Sequence, residues 1–303
     1  MASAEEIRLR IGSIAQTKKV TDAMYMISSV KMRRALQEVE STRPYFRALK
    51  NQIGDLFRYI PDNNSRYFRA PLPEGQLHRR RGILLITSDK GLAGSYNPTA
   101  LKEAEAYMRR HPETMLFIVG ECGRQYFSAQ HLPFVQDFAY SAAFPTVWEA
   151  RQICTDLLER YNNAQLDEID IIYTDYHTSR PSECKRNCLL PLDKSRFSSP
   201  ERTAVTPKSR VFYPDAVTVL DGVAPSYLTG FIYSCLVDSY CSEQEARMTA
   251  MHTAGQNAED MLKKLRSQYN ALRQAAITRE VVEISAGAQA LKRKKKKSEV
   301  QHP

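Results

Sequence analysis

The residues best placed to do chemistry are Ser88-Asp89-Lys90-Gly91-Leu92-Ala93-Gly94-Ser95. They follow a short apolar run, GILLIT, and precede Asn97-Pro98, a pair suited to open a helix. A strand-to-helix turn is where nucleotide-binding folds seat a phosphate, because the helix start offers unpaired N–H groups. This turn, however, is neither G-x-G-x-x-G nor a Walker A loop, and no Gly-Lys-Ser/Thr closes it. A tight structural turn, usable for docking, is the expectation. His78, His111, His131, His177, His252 and His302 have no metal-ligand spacing, and no serine sits in a nucleophile elbow. Cys184 and Cys188 form a C-x-x-x-C pair that could close a loop or hold metal; two free loop thiols is the simpler reading. No catalytic residue, metal or cofactor is expected.

If the chain has no chemistry of its own, its function lies in what its elements position. The longest apolar pattern runs from Ser242 to Leu291. Met251, Ala254, Ala258, Met261, Leu265, Tyr269, Leu272 and Ala276 recur in threes and fours, and Ile277, Val281, Ile284, Ala288 and Leu291 continue them. That spacing predicts one apolar stripe on a helix. About 50 residues at 1.5 Å each reach roughly 75 Å, more than a compact domain needs. A second long helix is predicted from about Ala4 to Leu56, capped by Ser3, with Glu5 and Glu6 in its first turn. Its seam is Ile7, Ile11, Ile14, Thr17, Thr21, Met24, Ser28, Lys31 and Ala35, and Pro44 should kink or break it. Two unpartnered stripes at the two ends of the chain are best buried on each other, as an antiparallel coiled coil.

Between them the pattern changes. Residues 59–81 are rich in Pro, Asn and Arg and read as a linker. From Gly82 the order is strand (GILLITSD), helix (98–110), strand (115–120), helix from Gly123, helix (148–161) and strand (168–176). Such alternation predicts a mostly parallel α/β sheet. Residues 177–211 read as irregular. The segment from Phe212 should lead into the last helix, with Gly222 and Pro225 interrupting it.

Composition sets further bounds. With 43% hydrophobic residues a sizeable core is affordable, and the length suits about two domains. Most of the net charge of +9 comes from six consecutive basic residues, Lys292 to Lys297, so a broad nucleic-acid face is not implied. The six cysteines are scattered, as in a reduced compartment. The N-terminus has no apolar signal core, and no run approaches the ~20 apolar residues of a membrane span.

The ends then carry a resemblance. IRLRIGSIAQTKKVTDAMYMISSVKMRRA (7–35) closely resembles the N-terminal helix of the γ subunit of F-type ATP synthases. ARMTAMHTAGQNAEDMLKKLRSQYNALRQAAITREVVEISAGAQAL (246–291) resembles that family's C-terminal helix still more specifically. SDKGLAGSYN (88–97) is similar to its central strand-turn motif, and FYPD (212–215) to the entry into its last helices. The fold implied is α/β: a long antiparallel coiled coil of the terminal helices plus a central Rossmann-like domain. Its parts would be a first shaft helix (1–58), the linker (59–81), the α/β domain (82–211), a second shaft helix (212–291) and a basic disordered tail (292–303).

The resemblance implies a non-catalytic rotating central stalk of a proton-translocating ATP synthase. Its partners would be the α3β3 hexamer, the ε subunit and the c-ring, with no nucleic acid. By motif match, contacts to the catch loops of the catalytic β subunits would fall on Lys19, Met24, Arg247, Arg273, Gln274, Thr278 and Glu280. Contacts to the c-ring and ε would fall on Phe212, Tyr213, Pro214 and Asp215. With no transit peptide, the expected setting is the cytoplasmic side of a bacterial plasma membrane, held there through the complex. The chain departs from the family where KRKKKKSEVQHP follows Leu291, since six cations do not bury in an apolar collar. The alternatives are a coiled-coil adaptor with a basic nucleic-acid-binding tail and a nucleotide-binding α/β enzyme.

Overall fold

A computed structural model describes residues 3–57, 65, 67–68, 80–193, 197 and 212–299, with side chains through 289. Most of the expected 59–81 linker lies outside the described residues. The elements are α1 (Ala4–Phe57), β1 (Arg81–Ile86), α2 (Tyr96–Arg110), β2 (Met115–Val119), α3 (Glu121–Ala129), α4 (Val147–Asn162), β3 (Glu168–Asp175), β4 (Glu183–Leu190) and α5 (Ala216–Glu299).

The chain falls into two units. One comprises Met1–Tyr25 with Met251–Pro303, the other Met26–Ala250. The sequence had suggested boundaries near 58 and 212. Parts of both terminal helices belong to the core of the larger unit. Ile53 and Leu56 of α1 and Leu220, Ala224, Leu228 and Ile232 of α5 are buried in one cluster with the sheet.

In the larger unit the four strands lie in the order β2-β1-β3-β4. β1 is parallel to β2 and to β3, while β4 is antiparallel to β3. Successive side chains on a strand point to opposite faces, and the burial follows that alternation. Ile83, Leu85, Leu116, Ile118 and Ile172 face α2 and α3, meeting Ala100, Leu101, Ala104 and Phe127. Leu84, Ile86, Phe117, Val119, Ile169 and Ile171 face the other way and pack with α4, α1 and α5. Burial on both faces explains why these strands read as continuous apolar runs.

Five expectations are corrected. Residues 177–211 are not irregular throughout, since Glu183–Leu190 (ECKRNCLL) forms β4. It is an edge strand, mostly half-exposed, so it needs no apolar run. Gly222 and Pro225 do not interrupt α5. Leu220, Ala224 and Leu228 around them are at most 1% exposed, and that packing outweighs local propensity. Pro44 likewise does not end α1. Asn97 does not cap α2; Ser95 stands at the cap, without a side-chain bond. Asn97 instead reaches back to Ser88, accepting from its backbone N–H at 3.0 Å and donating to its hydroxyl at 2.7 Å. The backbone of α5 continues as helix to Glu299, through the run read from sequence as a disordered tail. Lys and Arg favour helix, and no Pro occurs between residues 226 and 302.

In the smaller unit α1 begins with a capping box. Glu6 N donates to Ser3 Oγ at 3.1 Å and Ser3 N to Glu6 Oε2 at 2.8 Å. The start of α1 and the later part of α5 run antiparallel. Tyr25 meets His252 with ring centroids 6.0 Å apart, and Lys18 Nζ lies 4.0 Å from Glu259 Oε2. Between these contacts, a Cβ on Gly255 would sit 3.2 Å from Asp22 Oδ1, so the backbones pass closely there. Ile7 and Thr21 on one helix and Met251, Ala258, Leu262 and Leu265 on the other are buried, again in threes and fours.

Candidate functional site: an exposed helix face and a clamped turn

Two surfaces carry the predicted contact residues, one in each unit. In the smaller unit, the pairing of Tyr25 with His252 and Lys18 with Glu259, continued at the same step, brings the start of α1 beside Arg273 and Gln274. Past that point α5 has no part of α1 alongside it, and every described residue from Arg273 to Gln289 is exposed. Among them Ile277, Val281 and Ile284 are 51%, 57% and 73% exposed, at helical spacing. Three β-branched apolar side chains in a row facing water is the arrangement of a surface meant to be covered. Gln274 and Thr278 flank the row, one turn apart, with the Thr278 hydroxyl donating to Gln274 O at 2.9 Å. Arg273 and Glu280 lie exposed on the same stretch, Lys19 is exposed on α1, and Met24 is half-buried.

Arg247 is placed quite differently. It belongs to the larger unit and is 8% exposed. Its Nη2 lies 2.6 Å from Glu243 Oε1 and donates to Lys90 O at 2.9 Å and Gly91 O at 3.0 Å. The residue expected on an outer contact face instead anchors the 88–95 turn to α5 from inside. The physical reason is that two backbone carbonyls and a carboxylate converge on it, which suits a planar guanidinium. Burial holds the Glu243 carboxyl above the usual carboxylate range, although the Arg247 guanidinium against it pulls the other way.

Asp89 secures the other side of this turn. Its carboxylate accepts from Glu121 N at 3.1 Å, from the backbone N–H groups of Ala142 and Ala143 at 3.1 Å each, and from Ser141 Oγ at 2.6 Å. Two turns, 88–95 and 141–146, are thus tied together. Each presents an exposed apolar residue with left-handed backbone: Leu92 (φ 65°, 65% exposed) and Phe144 (φ 51°, 48% exposed). Such backbone is disfavoured for these residue types and persists where the surroundings enforce it. Lys31 Nζ lies 5.3 Å above the Phe144 ring. Sequence reasoning named Asp89 only as part of the 88–95 turn and missed Glu243 and Phe144; the amides that Asp89 answers, and the Lys31 that meets Phe144, are distant in the chain and leave no local mark.

At the start of α5, Phe212 packs partly against the core, while Tyr213, Pro214 and Asp215 are exposed, Tyr213 at 93%. Asp215 accepts from Val217 N and Thr218 N at 2.9 Å each and from Thr218 Oγ1 at 2.6 Å, so it caps the helix. The Thr218 hydroxyl and these amides hold its carboxyl below the usual range.

The other chemical candidates resolve simply. None of the six cysteines is in a disulfide. Cys188 lies near Glu168 and Asp170, the one metal-capable cluster among the described residues. Guanidinium groups already serve it: Arg186 Nη1 is 3.0 Å from Asp170 Oδ2, and Arg81 Nε is 3.5 Å from Glu168 Oε2.

A sheet with helices on both faces, a paired helical stretch and an unpartnered apolar helix face define a subunit that works by being held by other chains. The ATP synthase family model matches residues 3–291. The ATP synthase gamma chain of Caldanaerobacter subterraneus subsp. tengcongensis is 37% identical over 292 residues, covering 93% of this chain and 98% of that one. The gamma chain of Acetivibrio thermocellus is 33% identical over 297 residues, covering 96% and 100%. The chain belongs to the ATP synthase gamma chain family. Its fold is similar to a chain of the Euglena gracilis mitochondrial ATP synthase (OSCP/F1/c-ring), with a TM-score of 0.62 at 16% identity over 97% of this chain and 96% of that one. It is also similar to one in the central stalk and c-ring of the Tetrahymena thermophila enzyme, with a TM-score of 0.56 at 20% identity, covering 78% and 99%. No described helix is long and apolar enough to cross a membrane.

Proposed function

We propose that this chain is the rotating central stalk of a proton-translocating ATP synthase, turning inside the α3β3 hexamer and standing with ε on the c-ring. It makes and breaks no bond itself. The observation that carries this reading is the exposed Ile277, Val281 and Ile284 face of α5, which the described residues of the chain leave uncovered. A hexamer of near-threefold symmetry around an asymmetric helix meets a different face at each β subunit. Unequal contacts bias each β subunit differently between open and closed states, so rotation changes nucleotide affinity in sequence. The base then passes torque from the ring. The complex sits peripherally on the cytoplasmic side of a bacterial plasma membrane.

Lys19, Met24, Arg273, Gln274, Thr278 and Glu280 are the residues we assign to β contacts, and Tyr213, Pro214 and Asp215 to the ring and ε. Arg247 contributes by holding the Lys90–Gly91 turn. The 1–58 and 212–291 segments act as the shaft and 82–211 as the base.

Affinity purification of the tagged chain from its own cells tests the assignment. Recovery of α, β and ε in a 3:3:1 ratio to it is expected. Recovery with nucleic acid at low salt, or of a lone nucleotide-binding chain, would reject it. A second test concerns the contact face. Gln274→Leu with Thr278→Val removes two exposed polar groups, each worth about 1 kcal/mol if hydrogen-bonded to a partner. ATP synthesis by reconstituted complex should fall about five- to thirtyfold, with the thermal stability of the isolated chain unchanged. Synthesis at the wild-type rate would remove these two residues from the contact.

A further inference from the structure

We propose that Lys292–Lys297 is an electrostatic bearing, a run of cations around the end of α5 that carboxylates of the α3β3 hexamer meet from all sides. This rests on the central-stalk reading and adds to it a contact of a different kind from the apolar face. The run stands outside the family match, which ends at residue 291, so nothing in that match accounts for it. Its backbone nonetheless continues α5 as helix to Glu299.

Such a helix carries a repulsion of its own. Positions three and four apart are neighbours on a helix surface, and like charges there oppose each other. Lys292 is so placed with Lys295 and Lys296, Arg293 with Lys296 and Lys297, and Lys294 with Lys297. Little in the adjoining sequence offsets this. Residues 288–291 are Ala, Gln, Ala and Leu, and Glu299 stands at neighbouring positions to Lys295 and Lys296 only. The helix dipole favours cations over the last turn alone. Negative charge brought by another chain is what would sustain helix through the whole run.

The distribution of the charge selects the partner. At about 100° per residue the six positions pass through more than a full turn, so no side of the helix is left uncharged. A flat surface, whether lipid or duplex, meets only one side. A helix lying on lipid also needs an apolar face, and the run contains no apolar residue. Outside the run, basic and acidic residues nearly balance, so the wider basic face of a nucleic-acid binder is not implied. A partner that encloses the helix answers charge on every side. The hexamer assigned to cover Ile277, Val281 and Ile284 is such a partner, and Lys292 follows Ile284 along the same helix by about 12 Å. The two contacts act differently. The apolar row lies on one side of α5, so its fit changes with rotor angle. Charge on every side attracts alike at each angle and centres the end of the shaft without favouring any position.

The test uses the complex purified from its own cells and a carbodiimide, which joins lysine to a carboxylate in direct contact. At about 0.1 M salt, peptide mass spectrometry should find lysines of the run joined to Asp or Glu of α or β. At about 1 M salt the screening length falls from about 10 Å to about 3 Å, and the yield should drop about tenfold. Lys292→Gln, Arg293→Gln, Lys294→Gln, Lys295→Gln, Lys296→Gln and Lys297→Gln together should still assemble, because the apolar row is untouched. That variant should leave the complex at a rate that salt no longer changes. A run joined to no carboxylate of α or β, or a yield that salt leaves unchanged, overturns the bearing. So does binding of the isolated chain through this run to duplex DNA or to phosphatidylglycerol vesicles when the complex gives no such cross-link. Recovery of α and β without the cross-link strikes the bearing alone, whereas failure to recover them at all rejects the central-stalk reading and the bearing with it.

Discussion

Replacing Arg247 with Ala lowers the thermal midpoint of the chain by about ten degrees, corresponding to a loss of about 3–5 kcal/mol. The size comes from what is left behind. Arg247 and Glu243 are both nearly buried, 2.6 Å apart, and the same guanidinium closes on Lys90 O and Gly91 O. Without it Glu243 is an uncompensated buried acid and two carbonyls lose their donor. The deficit should depend on pH. Burial already raises the Glu243 carboxyl, and removing the cation raises it further, so the variant recovers part of its stability as acid supplies the missing proton. Arg247→Lys should recover only part of the loss, because the shorter side chain must bring its ammonium to the one point where Nη2 meets all three acceptors. The double variant Arg247→Met with Glu243→Leu should be far better than Arg247→Ala, since it buries no charge. Denaturant unfolding checks each case; a loss below about 1 kcal/mol for Arg247→Ala would mean the clamp carries little of the structure.

The second large effect is expected at Gly230. A Cβ there would fall 1.9 Å from Phe46 Cδ1 and 2.5 Å from its Cγ, so the ring cannot simply swing its far edge away. Gly230→Leu should overpack this crossing of α1 and α5 by about 3 kcal/mol, despite the ~1 kcal/mol gained in helix propensity by removing glycine. Phe46→Ala alone should cost about 3 kcal/mol as a cavity. Combined, the two should cost much less than their sum, because the new side chain fills the space the ring leaves. Additive losses in denaturant unfolding would show that the two positions do not share a volume.

Much of this architecture was written in the order of apolar runs. GILLIT, MLFIV and EIDIIY announce strands because both sheet faces are covered, and the threes and fours of 251–265 announce the buried seam. β4 escaped because an edge strand bearing Lys185, Arg186 and Asn187 has no such run. Continuity of α5 through Pro225 escaped because it is decided by Leu220, Ala224 and Leu228 against the sheet, not by local propensity. Among the contact residues, the exposed positions 273–280 follow from the helical pattern. The inward aim of Arg247 does not, since its partners are carbonyls about 156 positions earlier in the chain.

The grip of Asp89 on Ser141, Ala142 and Ala143 closes residues 90–140 into a loop drawn shut at its neck by a single carboxylate. Whatever lengthening or shortening evolution tries within that loop, in the turns after α2 or after α3, leaves the neck as it was. The spacing of Leu92 and Phe144 is thereby set at the neck and not by the length of chain between them.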